Sequence, residues 1–343
     1  MMTTARYSIL VPAHNEEAVL EECHRRLKAV MDSTGEPYEI IFIDDGSRDR
    51  TAEILGRLAS SDSRVRVISF SRNFGHQVAI SAGMDHASGN AVIVIDADLQ
   101  DPPEVILQMI AKWRDGYDVV YGKRGKREGE TVVKRATAFL FYRLLRSLTD
   151  VDIPADVGDF RLIDRKVCDV MASIRERNRF VRGIISWIGF RQTAVSYVRE
   201  QRFAGDTKYP FSKMMSFAFD AIISFSYRPL KLASYLGLFT SFGGFVYFAY
   251  VVYLKYFTDR TVQGWTSIIA LNLIFNGIVL LILGIMGEYI GRIYDESKGR
   301  PYYVVKECLG FEPEARGRDA VSPGGELLAT PPRLEETQGR PHR

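Results

Sequence analysis

In the stretch AVIVIDADLQDPP, from Ala91 to Pro103, an apolar and β-branched run stops at Asp96, Asp98, Gln100 and Asp101. Hard carboxylate oxygens are the ligands that Mg²⁺ or Mn²⁺ prefers, and Mg²⁺ is usually held by one or two protein carboxylates while substrate phosphates fill other positions. Asp96 and Asp98 therefore suit a divalent cation, with a nucleotide diphosphate as the natural third party. The apolar run before them reads as a strand buried on both faces of a parallel sheet. Ligands of open α/β sheets bind beyond the carboxyl ends of strands, which is where this cluster lies. The same acids would also cap a helix opened by Pro102 and Pro103, since proline suits the first helical turn and acids its positive end. The motif alone leaves both readings open.

The elements that must position these acids recur along the first third of the chain. Tyr7 to Val11 is a short strand, and Val19, Leu20, Leu27, Val30 and Met31 follow at helical spacing. Glu39 to Ile43 is a second strand that runs into DDGSRDRT and a helix from Ala52 to Leu58. Val65 to Phe70 is a third, and the run before Asp96 is the fourth. Strand and helix alternating in this way predict βαβ units and a mostly parallel α/β sheet. Asp44 and Asp45 end one strand as Asp96 and Asp98 end another, so two acidic pairs should meet along one sheet edge, one for a base or ribose and one for a metal. The chain contains neither G-x-G-x-x-G after its first strand nor G-x-x-x-x-G-K-[ST], which argues against a dinucleotide oxidoreductase or a P-loop enzyme.

Composition narrows the class further. The 343 residues allow more than one domain, and 45 basic against 42 acidic residues, a net +3, point to no nucleic-acid partner. Cys23, Cys168 and Cys308 are scattered and odd in number, so they read as reduced thiols and not as a disulfide frame or zinc site. The N-terminus has no long apolar segment and reads as a first strand, which leaves the catalytic half in the cytoplasm.

Seven ordered motifs resemble a known family. SILVPAHNEE, IIFIDDGSRDRT, RNFGHQVAI and VIDADLQDPPE resemble the donor-site motifs of inverting family 2 glycosyltransferases, which have the Rossmann-like glycosyltransferase A fold. VVYGKR, VGDFRLIDR and RFAGDTKYP resemble its polyprenyl-phosphate branch, which includes dolichyl-phosphate mannose synthases and bacterial bactoprenol glucosyltransferases. The resemblance covers residues 6 to about 300. It implies that Pro12, Ala13, Asn15, Glu16, Asp44, Asp45 and Asp96 bind the donor, and that Asp96, Asp98 and Gln100 hold Mg²⁺ or Mn²⁺. It also implies that Asp159 and Asp98 are catalytic, and that Arg124, Arg135, Arg202 and Lys208 serve acceptor or donor phosphates. His76 falls where relatives vary and reads as a surface or packing histidine.

The remaining chain reads as a membrane anchor. Residues 1–209 form the catalytic domain in this reading. PFSKMMSFAFDAIISFSY, Pro210 to Tyr227, suits a helix in the membrane interface, within a juxtamembrane segment taken as 210–231; a core helix of the soluble domain is the alternative. Leu232 to Leu254 and Thr266 to Gly287 carry no charge and are each long enough to span a bilayer, giving a hairpin over 232–291. Arg228 and Lys231 before it and Arg292, Lys298 and Arg300 after it place both termini in the cytoplasm of a multi-pass inner-membrane protein. Asn272 and Asn276, four residues apart with Ser and Gly nearby, fit helix contact and a homo-oligomer. Residues 292–343 are a cytoplasmic segment, expected to be disordered from about 312. The function expected is transfer of a sugar, from UDP-glucose or UDP-N-acetylglucosamine by resemblance to bacterial members, to polyprenyl (undecaprenyl) phosphate. A processive polysaccharide synthase and a non-catalytic scaffold or flippase subunit are the alternatives. No Gln-x-x-Arg-Trp segment is present, and a scaffold has no use for adjacent carboxylates at a strand end.

Overall fold

The structure is a computed structural model that describes residues 5–125, 157–174, 176–177, 179–200, 226–257 and 264–311. Arg135, Arg202, Lys208, residues 210–225 of the interfacial helix expected from Pro210 to Tyr227, and the tail from 312 lie outside the described residues.

The chain begins as the alternating pattern predicts, with β1 (Tyr7–Ala13), α1 (Leu20–Asp32), β2 (Tyr38–Asp44), α2 (Thr51–Ser61), β3 (Val65–Phe70), α3 (His76–His86), β4 (Ala91–Val94) and α4 (Val105–Arg114). There follow β5 (Val119–Arg124), β6 (Val157–Asp164), α5 (Arg165–Ser173), α6 (Val181–Ile188) and β7 (Gln192–Tyr197). Eight strands form one sheet in the order β7-β5-β6-β4-β1-β2-β3-β8, the last being Val305–Leu309. The stretch β4-β1-β2-β3 is parallel, whereas β6 runs antiparallel to both β4 and β5.

Alternate residues of each strand feed two cores, as a pleat with period two requires. Ile9, Val11, Ile40 and Phe42 pack with Leu20, Leu27, Leu55 and Met109 of α1, α2 and α4. Leu10, Ile41 and Ile43 pack on the opposite face with Ile80, Val167 and Ile184 of α3, α5 and α6. Buried on both faces, these strands have no reason to alternate with polar residues, which is why they read as continuous apolar runs.

Between β7 and β8 come α7 (Arg228–Phe257) and α8 (Trp265–Ser297), both long and apolar enough to cross a membrane. Phe239, Phe242, Phe245 and Phe248 on α7 and Leu273, Leu280 and Leu283 on α8 are exposed, an apolar surface that water does not tolerate at this extent. The two helices approach where α7 has small residues: a Cβ on Gly237 would meet Ile282 at 3.8 Å, and one on Gly244 would meet Phe275 at 4.0 Å. Asn276 donates to Asn272 along α8, so each amide has a partner within its own helix.

The chain then returns to the sheet. Arg177 caps the end of α8 by donating from its backbone N–H to Glu296 and from its guanidinium to the carbonyls of Asp295 (2.9 Å) and Arg300 (2.8 Å). Tyr303 stacks on Phe70 at 5.1 Å between ring centres, and β8 pairs antiparallel with β3.

Candidate active site

The carboxyl ends of β1, β2 and β3 open onto a cleft of about 610 Å³. Asn15 and Asp44, both expected at the donor, line it together with His14, Ser47, Arg48 and Arg72. The cleft floor is built from local bonds. Asn15 has φ 55°, a left-handed conformation that asparagine tolerates, and its side chain accepts from the N–H of Arg48 (2.8 Å) while its own N–H donates to Ser47 Oγ (3.0 Å). Gly46, at φ 64°, lets the loop after β2 meet the loop after β3, since a Cβ there would lie 2.4 Å from the backbone carbonyl carbon of Arg72.

Asp45 does different work from its neighbour. Its two carboxylate oxygens accept from the N–H groups of Phe74 (2.6 Å) and Gly75 (3.0 Å), fixing the loop that leads into α3. Burial pushes its pKa upward against those two bonds. Pro12 and Ala13 are buried in β1, and the N–H of Glu16 donates to Thr51 Oγ1 (2.9 Å), so these three shape the loop after β1 without lining the cleft.

Antiparallel pairing creates the second acidic group. Ala91 faces Asp164 and Val94 faces Arg161 in the β4–β6 register, so the same register carried past β4 sets Asp159 opposite Asp96. Asp159 is buried, and Arg182 of α6 grips it with two bonds, Nε to Oδ1 at 2.8 Å and Nη2 to Oδ2 at 2.9 Å. Gln77 donates to it at 3.2 Å, and His76 Nε2 lies 3.3 Å from it. Burial alone would raise the Asp159 pKa, but Arg182 and His76 outweigh it and hold this carboxyl well below the usual range.

His76 also stands 3.5 Å from Asp96 Oδ1, so it bridges the two acids, a correction to its reading as a surface or packing residue. Burial opposes its charge, yet the bond to Asp159 and the field of Asp96 raise its pKa to about 9. Asp96 itself is pushed up to about 6, by burial first and then by Asp159, Asp101 and Asp98, against the opposing pull of His76. Its Oδ1 is buried and makes no hydrogen bond among the described residues.

Asp98 is held by the turn that follows it. Leu99 takes φ 56°, unusual for a branched residue, and the N–H of Gln100 donates to Asp98 Oδ1 at 3.1 Å. Among the described residues no three His, Cys, Asp or Glu side chains converge tightly enough to hold a metal unaided. A carboxylate oxygen without a hydrogen-bond donor beside a second carboxylate is a donor set that fits a divalent cation sharing its remaining positions with phosphate oxygens. The carbonyl of Gln100 accepts from the N–H of Glu200, which ties the acidic turn to the segment after β7. Asp101 is fully buried and serves the fold, accepting from Tyr197 with Arg199 at 3.5 Å.

Arg124 ends β5 beside this group. A Cβ on Gly158 would come within 2.7 Å of its guanidinium, so the glycine before Asp159 is what lets Arg124 lie across β6. Arg182 and Gln77, which the sequence reading did not select, follow the buried Asp159 as the groups that keep its charge tolerable.

The Asp159–Arg182 pair makes stability depend on pH. A folded-state pKa below the unfolded value of about 3.9 gives stability that is present above that value and is lost as pH falls through the folded pKa. Arg182→Met should cost about 3 kcal/mol at pH 7, the lower end for a broken buried pair because Arg182 is partly exposed. The cost should shrink as pH is lowered from 7 to about 4, where the stranded carboxyl takes up a proton. Thermal unfolding of both proteins at the two pH values measures it, and an equal deficit at each would sink the ion-pair account.

Residues 8–171 match the glycosyl transferase family 2 model, and residues 228–293 match the GtrB C-terminal hairpin. An uncharacterized glycosyltransferase, YkcC of Bacillus subtilis, is 60% identical over 92% of this chain and 97% of its own length. The bactoprenol glucosyl transferase of Shigella phage SfV is 42% identical over 88% of this chain and 98% of its own. Among solved structures, glucosyl-3-phosphoglycerate synthase from Mycobacterium tuberculosis, in complex with Mn²⁺, UDP-glucose and phosphoglyceric acid, is similar with a TM-score of 0.42 at 21% identity, over 64% of this chain and 78% of that one. On the identity and coverage of its relatives, the chain belongs to glycosyltransferase family 2, the branch that carries the GtrB C-terminal hairpin.

Proposed function

We propose that the chain is an inverting glycosyltransferase that moves a sugar from a nucleotide diphosphate sugar to polyprenyl phosphate and releases the nucleoside diphosphate. The observation that carries this reading is the acidic turn of Asp96 and Asp98 after β4, one strand along the sheet from the cleft that Asn15 and Asp44 line, on a chain whose long helices α7 and α8 are apolar enough to enter a bilayer. The name of the phage relative, bactoprenol glucosyl transferase, supports the lipid acceptor and glucose, with UDP as the expected carrier.

Asn15 and Asp44 hold the nucleoside in this reading, while Asp96 and Asp98, with Gln100 contributing a further oxygen, hold Mg²⁺ or Mn²⁺. The cation, when bound, neutralises charge that develops on the departing diphosphate. Arg124, which packs against Gly158, and Arg135, Arg202 and Lys208 are assigned to acceptor or donor phosphates by resemblance. Flanking bases put both termini on the cytoplasmic side, where the lipid phosphate and the soluble donor meet.

Asp159 orients its surroundings and does not take the proton. The second pKa of a phosphate monoester is about 6, so most of the acceptor is already a dianion at pH 7. A carboxylate held far below its usual pKa by Arg182 and His76 is a weak base even toward the monoanion. Its role is to aim Arg182 and His76 at the reacting groups.

Purified enzyme incubated with radiolabelled nucleotide sugars and undecaprenyl phosphate should give a labelled lipid from one donor; no labelled lipid from any donor would reject the reading. Transfer should cease in excess EDTA and in Asp98→Asn, with the variant's unfolding midpoint unchanged. Full activity in either case removes the metal assignment. Asp159→Asn should lose about 10²-fold or more in rate by a factor that stays flat from pH 5.5 to 8.5. A deficit that deepens below pH 6 would instead restore a base role. Reporter domains fused after Gly310 should be active only in the cytoplasm, and activity on the outer face would invert the topology.

A further inference from the structure

The cleft that receives the ends of β1, β2 and β3 is completed by β8, through Lys306 and Glu307, a segment the chain reaches only after the hairpin. Its seat is firm. Val67 faces Leu309, Ile68 faces Cys308, the N–H of Ser71 donates to the carbonyl of Val304 at 2.9 Å, and Gly310 at φ 78° closes against the backbone of Val65. The pairing is irregular at one point. Ser69 faces Glu307 and Phe70 faces Val305, so Lys306 is an extra residue with no partner across the ladder. Such bulges bend a strand and re-aim a side chain, and they concentrate next to active sites. The bulged residue borders the cleft together with Glu307, its side chain exposed and without an ion pair or side-chain hydrogen bond among the described residues.

Strand order gives the direction of the ligand. From β4, which carries the Asp96–Asp98 turn, to β8 is four strand spacings, β4-β1-β2-β3-β8, or roughly 19 Å at about 4.8 Å each. A diphosphate held at the acidic turn stays on the β4 side, so the nucleoside extends toward β8 and its base is the part of the ligand that the long, exposed Lys306 side chain can reach. An ammonium is a donor with no acceptor capacity. It pairs with a carbonyl oxygen, such as that at position 4 of uracil, and has nothing to offer the amino group that cytosine carries there. Resting on the reading of this cleft as the donor site, we propose that Lys306 reads the base of the nucleotide and favours uracil over cytosine.

The test is titration calorimetry of UDP and CDP into the full-length protein in detergent with Mn²⁺ present. Lys306→Met keeps the length of the side chain and removes the donor, and Lys306→Arg restores one. The Met variant should bind UDP roughly tenfold more weakly, the size of one charge-assisted hydrogen bond at a partly open site, with CDP affinity unchanged. The Arg variant should recover most of the loss, and both should unfold at the parental midpoint. Unchanged UDP affinity in the Met variant would overturn the assignment, as would an equal loss for UDP and CDP, which would mean contact with ribose or phosphate. Parental protein that binds neither nucleotide would remove the donor-site reading itself, a result distinct from failure of Lys306 alone.

Discussion

Negative charge gathered at one edge of a low-dielectric sheet is the constraint that the site is built around. Asp44, Asp45, Asp96, Asp98 and Asp159 all stand at or just beyond strand ends, and several of them are buried. Uncompensated carboxylates in such a place take up protons or unfold the protein. The N–H of Ser47 donates to Asp44 at 3.0 Å. Backbone N–H groups of the next loop hold Asp45, the turn at Gln100 holds Asp98, and a bidentate arginine holds Asp159. Burial displaces both Asp45 and Asp96 toward neutrality, but Asp45 has its two backbone donors, whereas Asp96 is pushed up to about 6 with His76 3.5 Å from an oxygen that makes no hydrogen bond among the described residues. The acid with the least compensation is thus the one best placed to gain from an added cation.

The bonds that settle these charges also fix the loops that form the cleft. Because Asp45 binds the Phe74 and Gly75 amides, the start of α3 is set against the end of β2, and His76 and Gln77 emerge where they reach Asp159. Gly46 allows the Arg72 and Asn73 backbone to close on the same loop. A substitution at Asp45 would therefore act on two sites at once, the cleft wall and the Asp159 group. Its importance comes through the loop it holds, which is why a residue expected to touch the donor can matter as much without lining the cleft.

What was legible in the sequence was whatever a local pattern specifies. The parallel strands announce themselves as continuous apolar runs, the acids as their abrupt ends, and the hairpin helices as long uncharged segments. Asp159 was legible only through its motif, because its position opposite Asp96 comes from an antiparallel strand whose pairing no local window records. The same limit hid Arg182, which follows from Asp159 in space and not in sequence. His76 looked ordinary because one histidine carries no periodicity, and its meaning arises from two acids on different strands. The return of β8 was invisible for a further reason: VKECL is short, has two charged residues among its five and lies at a sheet edge, where strands need little apolar character.

That return changes how the anchor works. A catalytic domain joined to a hairpin by one linker would sample many orientations above the bilayer, and only some would present the site to a lipid phosphate confined to the surface. Here the chain leaves the domain, passes through α7 and α8, and comes back to pair with β3. Arg177 grips the end of α8, Arg179 lies over Tyr302, and Tyr303 stacks on Phe70, so the return begins within a few residues of the helix end. Holding the domain at that end removes orientations from the unproductive ensemble before the acceptor arrives. The entropy of aligning domain and bilayer is then spent in folding and not at each encounter, which is the same advantage that pre-organisation gives any two tethered reactants.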